Sequence, residues 1–259
     1  MPANSPTAIL LPIGNEILNG RIQDSNTSYA ASRLYRRGIA VRRVVALPDE
    51  LDLLADEIRR HAGMADILIT SGGIGATADD MTRQAVALAF DRPLVRNPQA
   101  VEQMGEPSIG YTSDVRLRMA DLPDGCRLIP NPITKAPGFI VENTYVLPGV
   151  PELFRVMFDS IMPELPGSPI AFGELYTHRH EGEFAPFMDE ALKLFPSVNI
   201  GSYPKLYHTE YACLLTFSAP SQTEVDAARH WFAAQLESLP PRASLPEYPA
   251  GPPISIELM

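Results

Sequence analysis

The stretch Ser71-Gly72-Gly73-Ile74-Gly75-Ala76-Thr77-Ala78-Asp79-Asp80 decides how this chain of 259 residues is read. A strand-like run, Asp66–Thr70, leads into it, and a segment of helical periodicity, Asp80–Phe90, leads out with Met81, Ala85, Leu88 and Ala89 on one side. The stretch is therefore a strand–turn–helix junction that carries Gly72, Gly73 and Gly75. Glycine tolerates positive φ and lets a ligand come close to the backbone. The open N–H groups of a helix's first turn favour an anion such as phosphate. A tight turn that needs glycine for geometry alone is the alternative, and so many glycines at one strand–helix junction favour ligand binding. The stretch is neither familiar nucleotide motif: a P-loop needs Gly-Lys-Ser/Thr, and a dinucleotide fingerprint follows the first strand, not the third.

Outward from this junction the chain keeps a strand–helix rhythm. Ala8–Ile13 is a continuous apolar run, as a strand covered on both faces requires. Asn26 to Arg37 has Tyr29, Ala30 and Leu34 at helical spacing and stops at Gly38, a suitable C′ residue. Ile39–Ala46 is the second strand, and Glu50–His61 a helix with Leu51, Leu54, Ala55 and Ile58 on one side. This alternation predicts an α/β fold, a mostly parallel sheet flanked by helices, with ligands at the carboxyl ends of the strands. Residues 91–120 read as mixed helix and loop. Arg127–Ile129, Gly138–Val141 and Tyr145–Leu147 read as short strands, and Pro151–Ile161 as a helix with proline in its first turn. Pro163 to Pro169 carries three prolines and a glycine and marks a domain boundary. Beyond it, strand Gly173–His178, helix Phe184–Leu194, strands Ser197–Gly201 and Tyr211–Ser218, and helix Glu224–Leu236 predict a small α+β domain. The expected organisation is a main domain over 1–165, the small domain over 170–240 and an extended Pro-rich tail over 241–259.

Acidic residues outnumber basic ones 31 to 21, for a net charge of −10. Such a surface lacks the clustered Lys and Arg that neutralise phosphates, so no nucleic-acid partner is expected. No run approaches the roughly 20 apolar residues of a membrane span, and no membrane partner is expected. The first apolar run is too short for a signal peptide, and Cys126 and Cys213 show no metal-binding spacing; a cytoplasmic location is expected.

Several segments could carry chemistry. Thr77-Ala78-Asp79-Asp80 fits a capping box, which makes Asp80 a helix cap. Two adjacent carboxylates beside a phosphate loop would, however, repel the phosphate unless a divalent cation bridged them, and carboxylate plus substrate phosphate is how Mg²⁺ is usually held. Both readings of Asp80 stand. Gly14-Asn15-Glu16 closes the first strand on the same sheet edge, and Glu16 has no structural duty there. Asp24-Ser25-Asn26 opens a helix, and an N-cap accounts for it. Pro148-Gly149-Val150-Pro151 turns from strand to helix and is a second place for an anion. His178 and His180 share one face of a predicted strand, although exposed strand histidines explain them better than a metal pair. Ser25 and Ser71 have no identifiable base partner.

Together these segments resemble a known family. Ile13-Gly14-Asn15-Glu16-Ile17-Leu18 with Gly20, Asp24 and Asn26, the Gly72–Thr82 stretch and Leu147-Pro148-Gly149-Val150-Pro151 are similar to the molybdenum-cofactor-biosynthesis-like (MoaB/Mog, molybdopterin-binding) domain. Asn131-Pro132, Ala136-Pro137-Gly138-Phe139 and Gly201-Ser202-Tyr203-Pro204 resemble its CinA branch (competence/damage-inducible protein A), over roughly residues 6–237 and without that branch's deamidase domain. The resemblance implies a three-layer fold and a site for a pterin or adenine nucleotide. It also implies metal-dependent hydrolysis of a nucleotide pyrophosphate such as ADP-ribose, or molybdopterin adenylyl transfer, or non-catalytic binding. By motif position it implies Asp80 and Glu16 as catalytic residues. Asp80, Asp79 and Glu16 would hold a divalent metal (Mg, Mn or Co). Gly14, Asn26, Ser71, Gly72, Gly73, Gly75, Thr82, Lys135, Pro148 and Gly149 would hold the ligand, with molybdopterin a candidate. A homo-oligomer is implied by analogy. Asn15, Ala76 and Thr134-Lys135 depart from the branch's pattern, and Lys135 would bring a cation towards phosphate or signal a changed substrate.

Overall fold

The computed structural model describes residues 5–105, 113–205 and 210–240. Two compact units meet at the Ile170–Ala171 bond. The expected tail over 241–259 lies outside the described residues.

In the first unit the chain runs β1 (Thr7–Pro12), α1 (Asn15–Leu18), α2 (Asn26–Arg36), β2 (Ala40–Val44), α3 (Leu51–Ala62), β3 (Ile67–Ser71) and α4 (Thr82–Ala89). It continues through β4 (Leu94–Arg96), α5 (Pro98–Met104), α6 (Ser113–Leu117), β5 (Asp121–Pro123), β6 (Arg127–Ile129), β7 (Gly138–Val141), β8 (Thr144–Leu147) and α7 (Pro151–Ile161). The main sheet has the order β2-β1-β3-β8-β7-β6. Its β2, β1, β3 and β8 are parallel, and β8-β7-β6 form an antiparallel edge. Alternation along β1 sorts the core into two layers. Ala8 and Leu10 face α2 and α7 with Ala30, Leu34, Phe154 and Phe158. Ile9 and Leu11 face the other way, towards Leu54, Ile58, Ala85 and Val86 of α3 and α4. Helices on both faces of a mostly parallel sheet make the three-layer α/β fold expected from the strand–helix rhythm.

The second unit comprises β9 (Ala171–Thr177), α8 (Glu181–Leu194), β10 (Asn199–Pro204), β11 (Cys213–Ala219) and α9 (Gln222–Ser238). Its antiparallel sheet, ordered β10-β11-β9, packs Leu215 and Phe217 against Phe184, Val225 and Phe232.

Four local expectations are corrected. Helix α4 begins at Thr82, not Asp80, because the Asp80 carboxylate turns back onto the loop before it. Leu88, expected inward, is 47% exposed, because the buried side of α4 is centred on Thr82, Ala85, Val86 and Ala89. Residues 94–96, expected in mixed helix and loop, form β4 and pair with β5. Strand β9 ends at Thr177, so His178 and His180 do not share a strand face. The His180 N–H donates to the Glu183 carboxylate at 2.8 Å as α8 begins.

Phe158 is fully buried between layers, stacked on Phe154 at a centroid distance of 5.5 Å and edge-on to Tyr29 at 6.1 Å. Truncating such a ring removes its transfer energy and leaves a cavity, so Phe158→Ala is expected to lower the unfolding free energy by about 3–5 kcal/mol. Urea denaturation followed by circular dichroism measures it, and a loss under about 1 kcal/mol would mean the layer repacks freely.

Candidate functional site

Strands β1, β3 and β8 run parallel and end at one sheet edge, which places three connections side by side. The β1–α1 turn, the β3–α4 loop and the β8–α7 turn are joined there by short hydrogen bonds. Ile13 N–H donates to Ser71 O at 2.9 Å, and Gly72 N–H to Leu147 O at 3.0 Å. The Asn26 side chain completes the tie. Its Nδ2 donates to Ser71 Oγ at 2.8 Å and to the Gly149 carbonyl at 2.7 Å. Asn26 is 5% exposed, and its Oδ1 is buried without a donor. Leaving such an acceptor unmet costs about 1–3 kcal/mol, which marks the residue as held for position. The helix-opening role expected of this segment is carried by its Asp24, whose Oδ1 accepts from Thr27 N–H at 3.0 Å.

The glycines serve close approach of the protein to itself. A Cβ on Gly72, at φ +116°, would stand 2.2 Å from Ile13 O. A Cβ on Gly73, at φ +68°, would stand 2.2 Å from Thr82 Oγ1. One on Gly75 would meet the Asp80 carboxylate at 2.5 Å, and one on Gly149 would press on Gly72 Cα at 3.3 Å. The geometric alternative for the glycines is therefore met, and it coexists with an open backbone. Thr82 closes the loop from the helix side, its N–H donating to Gly73 O at 3.0 Å and its Oγ1 to Gly72 O at 2.9 Å. The N–H groups of Gly73 and Ile74, by contrast, meet no acceptor among the described residues. Both residues are half-buried. Successive unpaired N–H groups of this kind are a concavity for an anion.

Asp80 is a loop staple and does not cap α4. Its Oδ1 accepts from Gly75 N–H at 2.7 Å, and its Oδ2 accepts from Thr77 N–H at 2.9 Å and from the Thr77 hydroxyl. A carboxylate offers about four lone-pair positions, so roughly one remains on Oδ1 for anything else. The Glu16 carboxylate lies over Gly14, where an added Cβ would fall 2.6 Å from Oε1. Asp49 was not singled out in the sequence. It follows β2 at the same edge and accepts from Asn15 N–H at 3.0 Å. Partial burial pushes its carboxyl above the ordinary aspartate value, the Asn15 N–H opposes this, and the charges of Glu16, Asp79 and Asp80 add to the rise. The four acids thus sense one another, yet no group of three or more metal-ligating side chains converges among the described residues. A divalent ion here would need phosphate oxygens to complete its shell, which suits the way Mg²⁺ is usually bound.

The structure thus gathers Gly14, Glu16, Asn26, Ser71, Gly72, Gly73, Gly75, Asp80, Thr82, Pro148 and Gly149 at one edge. Pro148 enters through its carbonyl, which accepts from Ser71 Oγ at 3.5 Å. Asp79 is exposed beside them. Lys135 is not brought in. It sits at φ +66° in the β6–β7 connection with its N–H on Asn131 O at 3.1 Å, and no hydrogen bond or ion pair ties its ammonium to the loop among the described residues. Arg83 was also unforeseen: it is 3% exposed, and its guanidinium donates to Ile74 O at 3.3 Å. Cys126 and Cys213 are free thiols, and no described helix is long and apolar enough to cross a membrane.

A three-layer α/β unit with a glycine loop at the carboxyl edge of its parallel strands is of the open-sheet class whose ligand crevices lie at that edge. Residues 9–167 match the family of the probable molybdopterin binding domain, and the chain belongs to that family. Residues 169–240 match the middle domain of FAD synthase, which gives the second unit its relation. A protein of Aeropyrum pernix is 37% identical over 214 residues, 77% of this chain and 80% of its own length. A CinA-like protein of Citrifermentans bemidjiense is 36% identical over 166 residues, which is 61% of this chain and 40% of that protein. The crystal structure of the protein CinA with unknown function from Thermoplasma acidophilum superimposes with a TM-score of 0.57 at 31% identity, covering 61% of this chain and 98% of that one.

The raised Asp49 carboxyl sets a pH signature. A folded-state pKa above the unfolded 3.8 means the folded protein prefers the protonated form, so this contribution to stability is full below 3.8 and is lost as pH rises through the folded value. Asp49→Asn removes the penalty and keeps an oxygen for Asn15 N–H. Its melting temperature is expected to match the wild type below pH 3.8 and to exceed it by a constant margin once pH has passed the folded value. Melting temperatures that stay equal across that range would dissolve the acid cluster as an electrostatic unit.

Proposed function

We propose that the edge of the first unit binds the phosphates of a small nucleotide or pterin nucleotide and that the protein hydrolyses its phosphoanhydride with a divalent cation, Mg²⁺, Mn²⁺ or Co²⁺. The observation that carries this reading is the juxtaposition of the unpaired Gly73 and Ile74 N–H groups with Glu16, Asp49, Asp79 and Asp80. The N–H pair draws phosphate, and the acids repel it; a cation shared between carboxylate and phosphate removes the conflict. A bound divalent ion would supply charge neutralisation at the phosphate oxygens and a water of lowered pKa. In this reading Gly73 and Ile74 N–H groups orient the phosphate, Asp80 keeps the loop in shape through Gly75 and Thr77, and Glu16 offers a carboxylate from the β1 end. Asn26 fixes the distance between the loop and the Pro148–Gly149 turn. A second reading, transfer of an adenylyl group in place of its hydrolysis, draws on the match of residues 169–240 to the FAD synthase middle domain.

Incubation with ADP-ribose or FAD, with each of the three cations and with chelator, tests this. ADP-ribose is expected to yield AMP and ribose 5-phosphate only when a cation is present. Asp80→Asn, which sets an amide against the Gly75 and Thr77 donors, is expected to cut the rate about 10–100-fold, the usual cost of disturbing a group that orients such a site. Binding without turnover under every cation would defeat hydrolysis, and product formation only from ATP and a phosphorylated acceptor would favour transfer.

A further inference from the structure

Beside the glycine loop, on the side of α4 that faces the paired strands β4 and β5, lies a cavity of about 210 Å³. Thr77 and Ala78 from the loop, Arg83 and Gln84 from the first turn of α4, Leu94, Arg118 and Asp121 form its walls. Every group needed to hold an anion is present. The Arg83 guanidinium is almost wholly buried; its Nη1 donates to Ile74 O, and its Nη2 meets no acceptor among the described residues. Burial pulls this guanidinium below the usual arginine value against the pull of the Asp80 and Asp121 charges, yet an arginine stays protonated in proteins. Arg118 is exposed and makes no ion pair among the described residues. The one acid in the wall, Asp121, is already engaged by Arg96, whose Nε and Nη2 both donate to its carboxylate. The N–H groups of Arg83 and Gln84 open α4 with no acceptor among the described residues. Size sets the class of ligand. Small-molecule pockets span about 300–1,000 Å³, so this cavity is short of a whole nucleotide, yet it has room for several waters at about 30 Å³ each and thus for a phosphoryl group.

We propose that this cavity is an anion subsite for a phosphoryl group, in which Arg83 from within and Arg118 from the rim clamp the phosphate oxygens. It stands apart from the Gly73–Ile74 concavity and draws on that reading only where the phosphate is part of a nucleotide. Two sources share this chemistry, free inorganic phosphate or pyrophosphate and one phosphate of the nucleotide itself.

Calorimetric titration of the full chain with inorganic phosphate, pyrophosphate and ADP-ribose, in a buffer free of competing oxyanions, tests the assignment. Arg118→Ala is an exposed change that should leave the melting temperature intact, Arg118→Lys keeps the charge, and Arg83→Gln removes the inner guanidinium. Losing one charged hydrogen-bonding group is expected to weaken pyrophosphate about ten-fold in Arg118→Ala, with partial return in Arg118→Lys. An equal loss for ADP-ribose would assign the cavity to a phosphate of the nucleotide. A loss confined to inorganic phosphate and pyrophosphate would make it a separate inorganic site. Wild-type protein that binds neither, or affinities unchanged by both Arg118→Ala and Arg83→Gln, would overturn the proposal. Absence of hydrolysis with any cation, by contrast, would end the hydrolase reading and leave these affinities untouched.

Discussion

The Asn26 amide nitrogen reaches Ser71 Oγ and Gly149 O at the same time, and the rest of the site follows from that pair of bonds. Three parallel strands end at this edge, and each turn leaving it would otherwise be free to splay. Asn26 is the first residue of α2, so its position is inherited from a helix packed by Ala30 and Leu34 onto the sheet. A rigid layer thereby sets the spacing of the β3–α4 loop and the β8–α7 turn. The glycines answer the same constraint. Gly72 has room only for hydrogen where Ile13 O approaches it, Gly149 where it faces Gly72, and Gly73 where the Thr82 hydroxyl does. Close-packed loops in turn leave the Gly73 and Ile74 N–H groups side by side and unpaired among the described residues, which is what preorganisation of an anion site requires.

Much of this was legible in the sequence because it rests on periodicity and on turn chemistry. The five-residue β3, buried at every position, and the four-residue β7 are runs whose composition leaves little choice. Pro151 and Gly38 punctuate helices as their backbone preferences dictate. The placement of Glu16 at the carboxyl edge followed from strand direction alone. Asp49 obeyed the same rule, since it stands just beyond β2, and it was missed only because a lone acid before a helix reads as a cap.

Other features depend on side-chain direction, which one-dimensional patterns do not carry. The spacing of Thr77 and Asp80 fits a capping box and also a loop closed on itself; the second wins because Asp80 finds Gly75 N–H as well as Thr77 N–H. That choice delays α4 to Thr82, and within the helix Leu88 is exposed and Arg83 buried. Lys135, attractive as a cation beside a phosphate, belongs to a turn held locally by Asn131. The second unit's relation to the FAD synthase middle domain was likewise not carried by Gly201-Ser202-Tyr203-Pro204, the motif that stands in it.

On the proposed reading, a chain of net charge −10 has to hold phosphate against its own field. Exposed charges farther away than about 8–10 Å are largely screened at ordinary ionic strength, so the contest is local. On the phosphate side stand fixed dipoles: the N–H pair at Gly73 and Ile74, which needs no reorganisation when the ligand arrives. Against them stand Glu16, Asp49, Asp79 and Asp80, near enough that three of them raise the carboxyl of the fourth. Either ligand alone meets an unfavourable partner, the cation an incomplete shell and the phosphate a wall of carboxylates. Each relieves the other's difficulty, and such coupling is reciprocal by thermodynamic necessity. On the proposed reading, the acidic edge is therefore what makes phosphate binding conditional on the cation, and it selects for ligands that can bring or share one.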